Sequence, residues 1–221
     1  RTIGRTLDSV RGLAGEIVAV DSGSTDGTIP LLEAAGARIV AQPWLGYVKQ
    51  KQLALEQARG RWVLHLDSDE SLDAELAAAV RAAVERDDPA VGGYACNRRL
   101  HFAGRPLMHA FQPEWRLRLV RRDAGRWTGI DPHDAMAIDR GRVRRLPGTM
   151  RHDAFDSVAD ALARQVAHGR TSARALHARG RRGSAWRVAT APPLAFLKQA
   201  VLRRGILDGW RGIAMASVAA A

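Results

Sequence analysis

The sequence predicts an α/β protein with a mainly parallel sheet flanked by helices. Short apolar runs alternate with segments of helical periodicity over residues 1–92, and this alternation is typical of β-α-β units. Gly36 and Gly60 close two of the helices, as glycine commonly does. A first helix is expected to have begun by Arg1. The elements predicted after it are a strand at 16–20, a helix through 31–35, a strand at 37–41, a helix at 47–59, a strand at 61–66 and a helix at 71–86.

The pattern changes after residue 92. Arg116 and Arg118 alternate with leucines, which is the period of a half-exposed strand. The final 37 residues, 185–221, form an amphipathic and basic stretch, whose last segment is expected to start at Pro192 and Pro193. The other elements predicted here are strands at 93–102 and 115–120, a hairpin made of 135–138 and 142–146, and a helix capped by Ser157.

Charge divides the chain into two parts. The net charge is +11, but residues 1–92 hold 10 Lys and Arg against 14 Asp and Glu, whereas residues 93–221 hold 24 against 9. The basic part predicts an anionic partner, such as nucleic acid, a phosphorylated glycolipid or a membrane surface. Cys96 is a single cysteine, which excludes an internal disulfide framework. The sequence has no apolar run long enough to span a bilayer and no recognisable signal peptide, although it does not begin with Met.

Carboxylates follow two of the predicted parallel strands. Asp21 ends the first strand, and Asp67 and Asp69 follow the strand at 61–66. Ligands bind at the carboxyl ends of such strands, and carboxylates two residues apart repel each other unless a cation or hydrogen-bond donors lie between them. The spacing therefore indicates a metal and phosphate site. The alternative is an acidic helix start, with Glu70 and Ser71 beginning the helix and Ser71 as N-cap, which does not account for Asp67 and Asp69.

Three motifs in order carry a family resemblance. They are EIVAVDSGSTDGT at 16–28, Gly46-Tyr47-x-x-x-Lys51-x-x-Ala54, and WVLHLDSDE at 62–70. Together they resemble the nucleotide-sugar-binding half of an inverting family 2 glycosyltransferase with the GT-A (Rossmann-like) fold. Its first strand would precede Arg1. Downstream motifs resemble the branch of lipopolysaccharide core glucosyltransferases, namely FxGR at 102–105, PEWRLRL at 113–119, GRWTG at 125–129, Pro132-His133 and LDGWxG at 207–212.

The resemblance implies a donor site for a UDP-sugar and a divalent metal, Mg²⁺ or Mn²⁺. UDP-glucose is the expected donor, with galactose, a heptose or an N-acetylhexosamine as alternatives for the sugar. Asp69 is implied as the direct metal ligand, and Asp67 as a contact to the ribose or, through water, to the metal. Asp21 would accept a hydrogen bond from the uracil ring, with Ser22 beside it. Lys51 would contact the nucleobase or a phosphate, unless it belongs to a solvated helix face.

The resemblance also implies a general base on the acceptor side. Glu114 occupies that position, where the branch usually has Asp, and Gln52 stands where the branch usually has Asn. The alternative for Glu114 is an ion pair with Arg116 or Arg118. Arg118, Arg121 and Arg122 are further candidates for neutralising the leaving diphosphate. His133 with Asp134, and also His152, could orient the diphosphate, bind metal or hold the acceptor. Trp115 and Trp127 could stack on sugars or belong to the core.

These expectations give a functional division of the chain. Residues 1–92 would bind the nucleotide sugar, residues 93–155 would bind the acceptor, and residues 156–221 would form a basic, helical, membrane-associating appendage. The predicted activity is transfer of a hexose to a lipopolysaccharide core or similar glycolipid at the cytoplasmic face of the bacterial inner membrane. Two alternatives are a nucleic-acid-binding protein, suggested by the basic part, and a nucleotidyltransferase on a related fold.

Overall fold

The computed structural model describes residues 2–221. The first helix begins at Ile3, and Arg1 lies outside the described residues. The helices are α1 Ile3–Ser9, α2 Thr28–Ala34, α3 Tyr47–Gln57, α4 Ala74–Arg86, α5 Val158–Ala178, α6 Ala185–Leu197 and α7 Trp210–Ala220, with a π-helical turn Lys198–Leu202 and a 3₁₀ turn Gly205–Asp208 between the last two. The strands are β1 Val18–Asp21, β2 Arg38–Ala41, β3 Trp62–Leu64, β4 Glu70–Leu72, β5 Val91–Phe102, β6 Arg105–Pro106, β7 Trp115–Arg121, β8 Gly125–Ile130, β9 His133–Ile138 and β10 Arg142–His152.

The α/β class is confirmed, and the strand directions are mixed. β1 and β2 pair in parallel, as the alternation of strands and helices predicts. The longer sheet has the order β3-β7-β5-β10-β4, with β6 paired to β5, and in it β7 runs antiparallel to both β3 and β5. The chain divides into two compact units. One extends to Arg98 and resumes at Trp115–Arg151, and the other comprises Arg99–Glu114 and His152–Ala221.

The first unit has two apolar clusters. The larger one packs Leu76 and Val80 of α4 against Tyr94 of β5 and Met150 of β10, all of which are nearly inaccessible to solvent. Leu76 and Val80 are four residues apart, so they share one face of α4, and this face packs on the sheet. The smaller cluster is built on Leu55, Val120 and Trp127. It joins α3 to β7 and β8, which are the elements that carry the site described below.

Three local expectations were wrong. α4 is capped by Asp73, whose carboxylate accepts hydrogen bonds from the N–H of Leu76 at 2.8 Å and of Thr149 at 2.8 Å, so residues 70–72 are free to form β4 and Ser71 is not the cap. The hairpin is formed by β8 and β9, because β10 pairs within the longer sheet instead. Pro192 lies inside α6 and does not start the last segment.

The second unit is mainly helical. Its core contains Phe102 and Leu107 with Ala161 of α5 and Met215 of α7, each buried. Ser157 caps α5 by accepting a hydrogen bond from the N–H of Asp160 at 3.0 Å, as the sequence predicts. None of the helices in residues 2–221 has the length and apolar character needed to cross a bilayer.

Candidate active site

Three consecutive side chains of helix α3 contact other elements of the first unit. Gln50 donates a hydrogen bond to the Ser22 hydroxyl at 2.8 Å, and Gln52 accepts one from the backbone N–H of Trp127 at 2.9 Å. Lys51, between them, reaches the carboxylates described next. The start of α3 is fixed by Asp131, which accepts from the N–H of Val48 at 3.1 Å.

The turn before that helix favours glycine. Gly46 has a φ of +94°, a backbone region that most side chains avoid. A Cβ added there would also lie 2.1 Å from Oδ2 of Asp131, so that carboxylate would have to move. This accounts for the glycine of the Gly46-Tyr47-x-x-x-Lys51 motif in structural terms.

The carboxylate of Asp67 lies between two cations. Nζ of Lys51 is 2.8 Å from its Oδ1 and 3.1 Å from its Oδ2, and Nη2 of Arg118 donates to Oδ2 at 3.1 Å. The same Lys51 nitrogen donates to Oδ2 of Asp134, on β9, at 2.8 Å. The structure thus brings together three of the predicted site residues, Lys51, Asp67 and Arg118.

Glu70 stabilises the contacts between Asp67 and its two cations. Its side chain is fully buried, and its Oε1 accepts from Nη2 of Arg118 at 2.6 Å and from Nη1 of Arg98 at 3.3 Å. Its Oε2 accepts from the backbone N–H of Asp67 at 3.0 Å. Glu70 therefore fixes both the guanidinium that faces Asp67 and the backbone that carries Asp67.

These charges control the protonation of Asp67. Burial by itself would raise the pKa of Asp67, but the charges of Arg118 and Lys51 outweigh it and hold that pKa well below its ordinary value. The pKa of Arg118 is raised, since Glu70 and Asp67 more than offset the cost of burying its charge. Asp67 is therefore a carboxylate at any physiological pH.

The aromatic rings of Trp127 and His65 lie close to Lys51 and to each other. Trp127 is 6% exposed, and Nζ of Lys51 lies 4.8 Å from the centre of its ring. The His65 ring meets Trp127 edge-on, with 5.2 Å between ring centres, and its Nε2 is buried without a hydrogen-bond partner. Burial and the charges of Arg118 and Lys51 lower the pKa of His65 to about 3, so the ring is neutral. Trp127 therefore belongs to the core under the site.

Asp21 and Ser22 lie at the end of β1. Oδ2 of Asp21 accepts from the N–H groups of Gly23 and Ser24 at 2.8 and 2.9 Å, and the Ser24 hydroxyl donates to its Oδ1. Hydrogen bonds from Ser24 and Gly23 lower the pKa of Asp21, against a small opposing effect of burial. The carboxylate that the resemblance assigns to the uracil ring thus also shapes its own loop.

The donor set fits a metal that arrives with a nucleotide. Within the described residues, no group of three or more His, Cys, Asp or Glu side chains is placed to hold a metal ion. Asp69 is half-buried and follows Asp67 by two residues. Mg²⁺ and related ions are commonly held by one or two carboxylates together with substrate phosphates, and carboxylates are the ligand type that Asp67 and Asp69 provide.

The other residues that the sequence suggests for the site lie in several different parts of the fold. Glu114 is half-buried and belongs to the second unit, directly before β7. Arg121 stacks on Trp62 and pairs with Asp87 at 2.8 Å, which gives it a structural role. Trp115 is covered by Arg145, with the guanidinium carbon 4.6 Å from the ring centre. His133 is exposed on β9, and Arg122 is exposed after β7; His152 is half-buried at the end of β10.

Comparison with known proteins identifies the family. The family model for glycosyl transferase family 2 matches residues 1–146. The chain belongs to glycosyl transferase family 2. It is 30% identical to the lipopolysaccharide core biosynthesis glycosyltransferase LpsC of Rhizobium meliloti over 207 residues. The matched region covers 89% of this chain and 74% of LpsC. The protein is therefore a glycosyltransferase, which favours the predicted enzyme class over the nucleic-acid-binding and nucleotidyltransferase alternatives.

Two further similarities are more distant. An uncharacterized glycosyltransferase of Rickettsia typhi is 26% identical over 220 residues, which is 95% of this chain and 75% of that protein. The solved structure of glucosyl-3-phosphoglycerate synthase from Mycobacterium tuberculosis with phosphoglyceric acid has a TM-score of 0.49 and 18% identity, covering 83% of this chain and 77% of that one.

Sequence reasoning missed several members of this family 2 site. Glu70 was assigned to a helix start, although a glutamate next to Asp-x-Asp and directly after an apolar strand could have indicated a buried partner for a cation. Asp134 was considered only together with His133, and Arg98 and His65 were not singled out. These three are joined to the site through tertiary pairing of β5, β7 and β9, which no local pattern reveals.

The Glu70 contacts predict a large stability effect. In Glu70→Gln, the buried guanidinium of Arg118 loses its main counter-charge, so the free energy of unfolding should fall by about 3 kcal/mol. Urea denaturation followed by circular dichroism measures this change. Asp123→Asn is the matched control, because the Asp123–Arg140 pair is exposed and such pairs contribute little. Equal losses in the two variants would contradict the role given to Glu70.

Proposed function

We propose that this family 2 glycosyltransferase is an inverting, metal-dependent enzyme that transfers a hexose, with UDP-glucose as donor, to a lipopolysaccharide core or similar membrane glycolipid. The observation that carries the donor side is the Asp67 carboxylate held between Lys51 and Arg118, with Asp69 two residues further on. The core-biosynthesis name of the Rhizobium relative supports this class of acceptor.

The charge balance of the site supports the need for a metal. Lys51, Arg98 and Arg118 carry three positive charges, and they are matched by the three carboxylates of Asp67, Glu70 and Asp134. A neutral network of this kind offers little net attraction to a diphosphate. A divalent ion held by Asp69, with Asp67 nearby, would supply positive charge to stabilise the leaving diphosphate.

On this basis the donor-side roles are as follows. Asp69 would hold the metal, and Asp67 would contact the ribose or, through water, the metal. Asp21 accepts from the uracil ring, with Ser22 beside it, while Lys51 contacts the nucleobase or a phosphate. Arg118 is only 4% exposed and is occupied by Glu70 and Asp67, so we assign it to the donor site through its hold on Asp67.

Removing the metal ligand should weaken donor binding in a metal-dependent way. UDP-glucose titrated calorimetrically into the parent protein should bind more tightly with Mn²⁺ than without it. In Asp69→Ala this difference should disappear, because the ion then lacks its protein ligand. The variant Asp123→Ala, which removes an exposed carboxylate from the same unit, should behave as the parent. If Asp69→Ala binds the donor with Mn²⁺ as well as the parent does, the metal assignment is wrong.

Glu114 is the proposed base on the acceptor side. Its carboxylate takes the proton of the acceptor hydroxyl while the oxygen attacks the anomeric carbon, and the UDP leaves from the opposite face, which inverts the configuration. Pro113 restricts the backbone directly before it. Glu is one methylene longer than the Asp usual in this branch, so the carboxylate reaches further from the chain.

The charge-neutral variant Glu114→Gln tests this role. It should keep the donor affinity of the parent but lose transfer by about a hundredfold or more, because the amide cannot accept the proton. The measurement is transfer from radiolabelled UDP-glucose to truncated-core lipopolysaccharide, with Glu75→Gln on the exposed face of α4 as control. Unchanged turnover in Glu114→Gln would remove Glu114 from the role of base.

We also assign an anionic membrane surface as a partner, at the cytoplasmic face of the inner membrane. The segment around the π-helical and 3₁₀ turns exposes large apolar side chains, including Leu202 at 78%, Leu207 at 64% and Trp210 at 56%. The cations Lys198 and Arg204 are exposed on the same segment. An apolar surface bordered by cations suits the interface of a bilayer that contains anionic lipids.

Vesicle binding tests this surface. The double variant Leu202→Glu/Leu207→Glu should pellet much less with vesicles containing phosphatidylglycerol than the parent does, because it adds negative charge and removes apolar contact. Val143→Glu is a matched control, since Val143 is 51% exposed on β10 of the other unit. If the double variant and Val143→Glu pellet equally well, the assignment of this surface to the membrane fails.

A further inference from the structure

One buried carboxylate of the second unit holds three consecutive backbone groups. Asp208, at the end of the 3₁₀ turn, is 5% exposed. Its oxygens accept from the N–H groups of Met108 at 2.8 Å, His109 at 3.0 Å and Ala110 at 2.8 Å, and Nδ1 of His109 lies 3.1 Å from Oδ1. Burial by itself would raise the pKa of Asp208, but these hydrogen bonds lower it below its ordinary value.

Two more side chains near Asp208 in sequence, Gln199 and Arg203, hold the next two residues after Ala110. Oε1 of Gln199, in the π-helical turn, accepts from the N–H of Phe111 at 3.0 Å, and Arg203 donates to the carbonyl oxygen of Gln112. Phe111 has a φ of +63°, a backbone region that a bulky residue adopts only when its surroundings impose it. Five consecutive residues, 108–112, are therefore fixed by Gln199, Arg203 and Asp208.

Two glycines allow the segment to pack closely enough to make these contacts. A Cβ at Gly205 would lie 2.5 Å from the carbonyl oxygen of Gln199 and 3.1 Å from the Cβ of Ala110. A Cβ at Gly212 would lie 1.9 Å from the carbonyl oxygen of Gly205 and 2.9 Å from the Cβ of Asp208. This gives the Leu207-Asp208-Gly209-Trp210-x-Gly212 motif, which the donor site does not involve, a specific structural task.

The loop so held leads directly to Glu114, with only Pro113 between it and Gln112. We propose that Asp208, Gln199 and Arg203 are positioning residues that hold residues 108–112 so that the Glu114 carboxylate is presented to the acceptor hydroxyl. The inference rests on the proposed role of Glu114 as base. A general base must lie within hydrogen-bond reach of the proton it takes, and a displacement of about 1 Å can cost on the order of a hundredfold in rate.

The first experiment replaces Asp208 by its isosteric amide. Asp208→Asn keeps the shape of the side chain but turns one acceptor into a donor that faces a backbone N–H. Transfer from UDP-glucose to truncated-core lipopolysaccharide should show kcat reduced at least about tenfold, with KM for UDP-glucose unchanged. Hydrogen exchange should increase over residues 108–114. Asp160→Asn, which removes a carboxylate from α5 of the same unit, should change neither measurement.

A second pair of variants separates positioning from general destabilisation. Gln199→Leu removes the acceptor for the N–H of Phe111, whereas Gln199→Glu retains an oxygen at that place. We expect Gln199→Leu to lower kcat as Asp208→Asn does. Gln199→Glu should keep most of the kcat of the parent. Parent-like kcat and parent-like exchange over residues 108–114 in both Asp208→Asn and Gln199→Leu would overturn the proposal.

These outcomes can be distinguished from a failure of the base assignment. If Glu114→Gln retains full turnover, Glu114 is not the base, and the positioning role falls with it. If Glu114→Gln is inactive while Asp208→Asn and Gln199→Leu turn over normally, the base stands and the positioning role is wrong. A rise in KM for UDP-glucose together with an unchanged kcat would also contradict it, because that result would assign the three residues to donor binding.

Discussion

The site depends on keeping one carboxylate charged in a partly buried place. Asp67 can remain ionised because Lys51 and Arg118 approach it from two sides, and Arg118 can be buried because Glu70 balances it. Removing any one member leaves another charge without compensation in a region of low polarity, where such a loss is costly. The requirement explains why elements distant in sequence, α3, β4 and β7, must meet at this point.

The sequence predicted the parts of this arrangement that are local. The apolar strand ending in Asp67, the helix carrying Lys51 and the alternating strand carrying Arg118 were all recognised, with element ends displaced by a few residues. Glu70 was misassigned because an acidic residue near a helix start is favoured for its own reasons, and helix capping offered a sufficient explanation. The structure has Asp73 in that role instead, which leaves Glu70 for the buried pairing.

What the sequence could not supply is strand pairing. Residues 135–138 and 142–146 are separated by a plausible turn, so a local hairpin was the natural expectation. The structure pairs the first of these segments with β8 and gives the second to the longer sheet. Register and partner choice are decided by which faces can be buried together, and turn residues alone do not determine that. The pairing matters for the site, because Asp134 lies on β9 and pairs with Lys51 at 2.8 Å.

The C-terminal segment has two faces with different physical demands. Inside the second unit, Asp208 requires close backbone approach and a dry environment, which Gly205 and Gly212 make possible. On the outer face, Leu202 and Leu207 expose large apolar side chains to solvent, which is unfavourable in water. The inner contacts order the residues leading to Glu114, and the outer side chains suit a lipid surface. If both proposals hold, the same short segment that meets the membrane also holds the loop before the base, so an acceptor embedded in that membrane would encounter a base whose backbone is already fixed.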